Sequence, residues 1–476
     1  MSRLLAAENR KWLTLAAVAF GLFMIMLDNT IVNVALPSIE RDLAISISEL
    51  EWVVNGYALT FAVLMLTGGK LADFLGRRRI FIAGLAIFTL SSLACGLATS
   101  AHMLIGARVV QGSGSALMNP ATLSIITATF PPRQRGAAIG IWAGVSAMAL
   151  AIGPLVGGVL TEQIGWSWIF FINVPVGIIG IAVARLVIAE SRDMSHEQRL
   201  DLPGLLASAI ALFALTYGLI EANNYGWTSA RILSLFAVAV VFFGCFVVLE
   251  FRQRVPMLDL SLFRNSTFAG ANATMMLVAL AMFGVFFFVS LFLQNILRYS
   301  ATEAGATFLP MTMLIILIAP VAGRFADKLG SRWLMGAGMT LVGGSLLLFS
   351  RLEMSSDFWN ILPGLLTGGV GMALAMTPTT AAAMGSVPVD KAGVGSAVLN
   401  SMRQVGGSLG IAVMGAIVAS YLNVPRTDPR APGQFVEGFQ HALVVASAIA
   451  FAAAVVAVLT VRKVHHPEAA LAEVGA

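Results

Sequence analysis

The chain reads as an all-α membrane protein of fourteen transmembrane helices, arranged as two six-helix bundles plus two inserted helices. Three observations carry that reading. The 476 residues are 58% hydrophobic and only 11% charged, against about 25% charged in ordinary soluble domains. No soluble fold of this size could hide so much apolar surface. Apolar stretches of the ~20 residues needed to cross a bilayer recur about fourteen times. One polar turn occurs twice, once in each half, so the expected division is residues 1–200, an insertion at 201–264, and residues 265–476.

The first span, roughly 12–36, is apolar except for Asp28, Asn29, Thr30 and Asn33. On insertion scales an Asp at a membrane-helix centre costs roughly 2.5–3.5 kcal/mol. At about 1.5 Å per residue, Asp28 lies roughly 22 Å from one end of the apolar run and about 12 Å from the other. That is too deep to snorkel, so Asp28 reads as a titratable group in a transport pathway. The alternative is a carboxylate that only hydrogen-bonds a neighbouring helix. Arg3, Arg10 and Lys11 precede a run too long for a signal peptide, which reads as an uncleaved span.

The second span, roughly 51–72, brings Trp52, Asn55 and Tyr57 to the outer end of an expected cavity. The third is roughly 79–98. The fourth, roughly 103–128, carries Arg108 about 8 Å deep, close to the layer of Asp28. Arg108, Gln111, Gly112 and Ser115 share one helical face, a polar stripe along the cavity. Arg108 either acts on the Asp28 proton or is tied to backbone carbonyls. The fifth, roughly 136–160, holds Gly140, Gly144, Gly153, Gly157 and Gly158 at spacings that let helices approach closely, with Pro154 able to bend it.

The sixth span is roughly 168–189. The seventh and eighth, roughly 202–221 and 231–251, have six spans on either side and read as the insertion. The ninth, roughly 267–295, gathers Phe283, Phe286, Phe287, Phe288 and Phe292, read as lipid-facing bulk in preference to a drug pocket. Spans ten to twelve follow at roughly 303–326, 332–350 and 358–383. The thirteenth, roughly 393–420, buries Arg403 about 15 Å deep, with no mid-span acid in the second half. Its candidate partners are loop carbonyls, Asn400, Gln404 or a substrate anion. The fourteenth span is roughly 438–461.

The repeated turn reads Gly69-Lys70-Leu71-Ala72-Asp73-Phe74-Leu75-Gly76-Arg77 after the second span and Gly323-Arg324-Phe325-Ala326-Asp327-Lys328-Leu329-Gly330 after the tenth. Such repeats indicate homologous bundles related by an axis along the membrane normal. Glycine permits the tight turn, and Asp73 is placed to accept bonds at a neighbouring helix N-terminus, where the dipole favours an anion. The turn would then latch one state of the protein and release in the other. Placing both termini in the cytoplasm puts Arg77, Arg78, Arg79, Arg133, Arg135, Arg192, Arg252, Arg254, Arg264, Lys328 and Arg332 inside and leaves Arg41, Arg231, Arg298, Arg351, Arg426 and Arg430 outside, as the positive-inside rule requires. The high pI follows from that orientation, and no soluble basic face is present for nucleic acid. Cys95 and Cys245 both fall in spans, so neither a disulfide framework nor a metal site is indicated. No loop is large enough for a catalytic domain, so the chain is not read as an enzyme.

At this point the chain resembles the major facilitator superfamily along nearly its whole length. The repeated turn is similar to that superfamily's loop signature, and Arg108-Val109-Val110-Gln111-Gly112-Ser113-Gly114 to its fourth-helix motif. Gly153-Pro154-Leu155-Val156-Gly157-Gly158 resembles the fifth-helix motif of its antiporters. Leu27-Asp28-Asn29-Thr30-Ile31-Val32-Asn33-Val34-Ala35-Leu36-Pro37 is similar to the first-helix signature of the fourteen-span drug:proton antiporter group. Trp166–Pro175 and Arg403-Gln404-Val405-Gly406-Gly407 fit the same group, except that Ser167 stands where the group usually carries Arg.

The resemblance implies the major facilitator fold and proton-driven export of hydrophobic, in some cases cationic, drugs or antibiotics from the cytoplasm. Asp28 and Arg108 would couple the proton. Asn29, Asn33, Trp52, Asn55, Tyr57, Gln111, Ser115, Arg403 and Gln404 would line the cavity. Gly69, Asp73, Gly76 and Arg77, with Gly323, Asp327 and Gly330, would form the latch. Gly153, Pro154, Gly157 and Gly158 would close the cavity against proton leak. No cofactor is expected beyond the proton gradient. The protein would act as a monomer in the cell membrane, with a periplasmic adaptor where the cell has two membranes. The alternatives are the same exporter with an endogenous cargo, or a transport-dead sensor or scaffold.

Overall fold

The computed structural model describes residues 7–192, 200–253, 256–388, 391–425 and 428–462. Arg3, Arg254 and Arg426 lie outside these residues, as do the side chains of Arg133, Asp327 and Lys328. Among the described residues every regular element is helical. The first half builds α1 (Ala7–Leu43), α2 (Ile47–Leu75), α3 (Arg77–Gly96), α4 (Ala101–Thr129) and α5 (Pro132–Gln163). Its sixth span breaks at Ile172 into α6 (Trp168–Phe171) and α7 (Asn173–Val187). Then come α8 (Leu202–Tyr225) and α9 (Ala230–Arg252). The second half comprises α10 (Ser266–Leu291), α11 (Ala301–Thr307), α12 (Leu309–Leu329), α13 (Ser331–Phe349), α14 (Phe358–Gly385), α15 (Ala392–Tyr421) and α16 (Ala431–Thr460).

Among the described residues, 13 helices are long and apolar enough to cross a membrane. α4 supplies the remaining span by length, with 29 residues. It is the least apolar because it carries Arg108, Gln111, Ser113, Ser115 and Asn119. Helix starts are set by local chemistry. Ser46 with Glu49, Ser300 with Glu303 and Asp357 with Asn360 form reciprocal caps, which satisfy amides that the first turn leaves free.

The two repeated turns have one backbone solution. Gly76 ends α2 at φ 115°, ψ 128°, and Gly330 ends α12 at φ 86°, ψ 144°. A side chain is strained at such φ values, so glycine is required at both. The next helix begins at the following residue in each case.

Within the first half α2 and α3 pack on α4, α1 on α5 and α3 on α7. Within the second, α13 packs on α14 and α16, α10 on α15, and α12 on α14. α8 pairs with α9 and lies against both α2 and α15. The halves meet where α2 faces α15, α1 faces α10, and α5 faces α11 and α12. One end of this seam is tight: Gly158 of α5 abuts the Ala301 backbone, and Gly305 of α11 abuts that of Pro154. Gln294 Nε2 also donates to the Val34 carbonyl at 2.8 Å. At the other end, beside the first repeated turn, a cavity of about 480 Å³ separates the halves.

The phenylalanine cluster corrects the lipid-facing expectation. Phe287, Phe288 and Phe292 are each 0% exposed, and Phe292 stacks on Phe439 at 5.1 Å. α10 packs against α1, α14, α15 and α16, so Phe287 and Phe288 meet protein, while Phe283 and Phe286 stay partly exposed. Hydrophobicity alone does not distinguish a lipid contact from a core contact in a membrane.

Candidate functional site

The centre of the first half is a buried charge pair. Asp28 and Arg108 are each 1% exposed. Arg108 Nη1 donates to Asp28 Oδ2 at 2.5 Å and to Gln111 Oε1 at 2.7 Å, while Arg108 Nε donates to the Val53 carbonyl at 3.1 Å. Gln111 Nε2 donates to Asp28 Oδ1 at 3.0 Å and to Ser92 Oγ at 3.0 Å. Asn173 Nδ2 donates to the same Ser92 oxygen at 3.0 Å. Both Asp28 oxygens are therefore occupied, and α1, α2, α3, α4 and α7 converge on one network. The guanidinium carbon of Arg108 also sits 4.2 Å from the Tyr57 ring centroid, a favourable cation–π placement when desolvated.

These bonds follow from helix geometry. Arg108 and Gln111 are one turn apart on α4 and so face α1 together. Burying a pair of charges costs several kcal/mol per ion unless geometry and further hydrogen bonds offset it. Here each member has both. A proton on Asp28 would remove the negative charge and free one Arg108 bond, leaving the guanidinium held by Val53 and Gln111.

The other expected residues fall around this centre. Tyr57 Oη and Ser115 Oγ share a hydrogen bond of 2.9 Å. Asn29 and Asn33 turn back onto their own helix, donating to the carbonyls of Ile25 and Asn29. Trp52 packs on Phe213 and Tyr217 of α8, at 5.5 and 5.8 Å between ring centroids. Asn55 and Gln404 are buried, with side-chain atoms that no protein group meets. Arg403 is half-buried; Nη2 reaches only the Met26 sulfur, at 3.8 Å, and Nε has no partner. No carbonyl or acid holds it among the described residues.

The fifth-helix glycines lie against two different helices. A Cβ on Gly153 would collide with Thr30, and one on Gly157 with the Ile31 carbonyl at 2.6 Å, both on α1. Gly158 faces α11 across the seam. Gly323 approaches Thr377 of α14 loosely, its Cβ meeting a methyl at 3.6 Å.

At the cavity, Gly69, Lys70, Asp73 and Arg77 form one wall, with Ser396 and Asn400 of α15 opposite. Asp73 does not sit at a helix N-terminus as expected. It accepts from Arg77 Nε at 2.9 Å, one turn along. The N-terminus of α3 is taken by Glu190, which accepts from the Arg78 amide at 3.0 Å and lies 3.9 Å from Arg78 Nε and 3.7 Å from Arg79 Nε. Sequence reasoning missed Glu190 and Ser92; Lys70, named in the repeated turn, donates to the Pro256 carbonyl at 2.6 Å. Asn173 carried a signal inside the Trp166–Pro175 motif, whereas Glu190 and Ser92 belong to no motif.

The pattern of the Major Facilitator Superfamily matches residues 18–411 and 273–475. Over 95% of its length the chain is 36% identical to the tetracenomycin C resistance and export protein of Streptomyces glaucescens, covering 92% of that protein. It is 38% identical, over 86% of its length and 76% of the relative, to the multidrug resistance protein Stp of Mycobacterium tuberculosis. The puromycin resistance protein pur8 of Streptomyces alboniger is 34% identical, with 93% of the chain and 89% of the relative covered. In fold, the chain is similar to a bacterial homolog of the human lysosomal transporter Spinster, with a TM-score of 0.68 at 18% identity, covering 96% of this chain and 98% of that one.

Proposed function

Since the chain belongs to the Major Facilitator Superfamily, we propose that it is a proton-driven exporter of hydrophobic drugs or antibiotics, with Asp28 as the coupling carboxyl. The observation that carries this reading is the closed Asp28–Arg108–Gln111 network in mid-span. The names of the relatives, which concern resistance and export, support the direction and kind of cargo. In this reading residues 1–200 and 265–476 are the two moving bundles and 201–264 is the insertion. The chain lies in the cell membrane with both termini in the cytoplasm, so the cavity beside the repeated turn faces the cytoplasm and admits cargo there.

The cycle uses groups already described. Cargo arriving between the halves favours Asp28 in its ionised form, clamped by Arg108 and Gln111. A proton on Asp28 relaxes that clamp and lets α1 and α4 shift against α2, while the Gly158–Ala301 and Gly305–Pro154 contacts seal the outer end against leak. Such a carboxyl must titrate within the cycle, which an amide cannot do. The test is uphill accumulation of cargo inside inverted vesicles under an imposed proton gradient, acid within. Wild type should export and Asp28→Asn should not, while facilitated, downhill movement persists in the variant. Gradient-driven export by Asp28→Asn at the wild-type rate would remove Asp28 from the coupling.

A further inference from the structure

Two contacts fix the register of the seam between α2 and α15. The Glu51 carboxyl lies against Gly415, where a Cβ would collide with it. Ser401 Oγ donates to the Ala62 carbonyl at 3.3 Å. The helices therefore run antiparallel from the Glu51–Gly415 contact to the Ala62–Ser401 contact. At 3.6 residues per turn, Glu51, Asn55 and Ala62 lie within about 40° of one another on α2. On α15, Gly415, Ser408, Gln404 and Ser401 lie within about 60°. Asn55, Ser408 and Gln404 are thus enclosed between the two contacts and face the seam.

All are deeply buried: Glu51 is 2% exposed, Asn55 0%, Gln404 1% and Ser408 0%. Each keeps side-chain atoms that no protein group satisfies, namely Glu51 Oε2, both Asn55 amide atoms, Gln404 Nε2 and Ser408 Oγ. Thr216 of α8 adds one more. It is 0% exposed with Oγ1 unsatisfied, on the helix face from which Asn223 Nδ2 donates to the Ala416 carbonyl at 2.7 Å. Buried polar atoms are nearly always partnered, by protein or by water. Five such residues along one seam form a polar lining of the kind that holds ordered water, each molecule making about three bonds.

We propose that the α2–α15 seam holds a file of ordered water, through which a proton reaches Asp28 from the end opposite the repeated turns. The proposal rests on the proton-coupled reading above. Glu51 is the outermost carboxyl of the file, with Glu221 of α8 the charge that acts on it and Gly415 of α15 packed against it. At the inner end Arg403 precedes Gln404; its Nη2 reaches Met26 on α1, and its charge acts on the Tyr57 hydroxyl together with those of Asp28 and Arg108. A proton from outer water forms an O–H bond on Glu51, and O–H bonds exchange along the waters. The last transfer forms the O–H bond on the Asp28 carboxylate and returns Glu51 to its starting state. One charge moves and no co-reactant is consumed. In the present arrangement Glu51 is sealed, so the file is closed to the outside. Parting of α2 from α15 at Gly415 opens it.

Radiolytic hydroxyl labelling of the wild-type protein in lipid nanodiscs tests the water directly, because bound water generates the radical in place. Label is expected at buried seam neighbours such as Val54 and Met26, and should be lost in the Ser408→Ala/Thr216→Val double variant. That variant should keep cargo binding while its proton-coupled exchange slows roughly tenfold or more. An unlabelled seam in the wild type, or exchange by the double variant at the wild-type rate, overturns the proposal. The wild-type labelling decides even if the variant does not fold. Equal cargo-evoked proton release from wild type and Asp28→Asn would overturn the coupling reading and the destination of the path together. Asp28-dependent release with an unlabelled seam would overturn the water path alone.

Discussion

At the scale of the residue, Asp28 is tolerable in its helix only because Arg108 and Gln111 take both of its oxygens. Removing one member of a buried pair typically costs about 3–5 kcal/mol, because the other charge is left without a partner. Arg108→Ala should therefore destabilise the protein strongly. Asp28→Asn/Arg108→Ala should recover much of that loss, as thermal unfolding in detergent would show. Additive losses in the double variant would mean that the two side chains do not depend on each other. Asp28 and Arg108 were legible in the sequence because charges are rare inside spans. Ser92, which ties Gln111 to Asn173, was not legible: Ser is common in membrane helices, and its partners come from α4 and α7. Arg403 was legible as a puzzle, and the fold leaves its Nε without a protein partner.

At the scale of the element, the repeated turns show how far a motif carries. The duplicated glycines announced a shared backbone geometry, and both adopt positive φ. The partner of the α3 N-terminus was not legible, because Glu190 is distant in sequence and belongs to no motif. Loss of an N-terminal cap costs about 1 kcal/mol, so Glu190→Ala should lower stability by that order in denaturant or thermal unfolding, and unchanged stability would remove it as a cap. A second tie joins the segment after α9 to the start of α15: Lys391 Nζ donates to Asp259 Oδ2 at 2.7 Å. Burial pushes the Asp259 carboxyl up, but the bonds from Lys391 and Ser261 more than offset this and hold it below the usual carboxylate range. A depressed carboxyl contributes stability above its unfolded value of about 3.8, and that stability is lost as pH falls through the lower folded value. Acid titration of Lys391→Met should therefore lack a component present in the wild type. Finally, Gly158→Val places methyls against the Ala301 backbone. Overpacking of this kind costs about 1–3 kcal/mol. It should hold the outer end of the seam apart, read as faster modification of a Cys introduced at Thr302.

At the scale of the whole molecule, composition and span count were enough to read an all-helical membrane fold, since a bilayer admits few alternatives. The spans could be counted, but which of their faces meet was not written in hydropathy. Phe287 and Phe288 looked suited to lipid and lie in the core. Trp52 looked suited to a cavity and packs on the inserted α8. The two native cysteines offer a check on this arrangement. Cys245 is exposed on the surface and Cys95 is buried beside Gln111, so a lipid-soluble maleimide should modify Cys245 and spare Cys95. Modification of both at similar rates would contradict the packing around the charge pair.

The central claim is that one buried carboxyl exchanges a proton for cargo. The most direct measurement is proton release on adding candidate drugs to purified protein in lightly buffered detergent, with wild type and Asp28→Asn compared at equal cargo occupancy. The account predicts release from wild type in proportion to bound cargo and none from Asp28→Asn. Equal release from both proteins would place the coupling proton elsewhere and leave Asp28 a structural partner of Arg108.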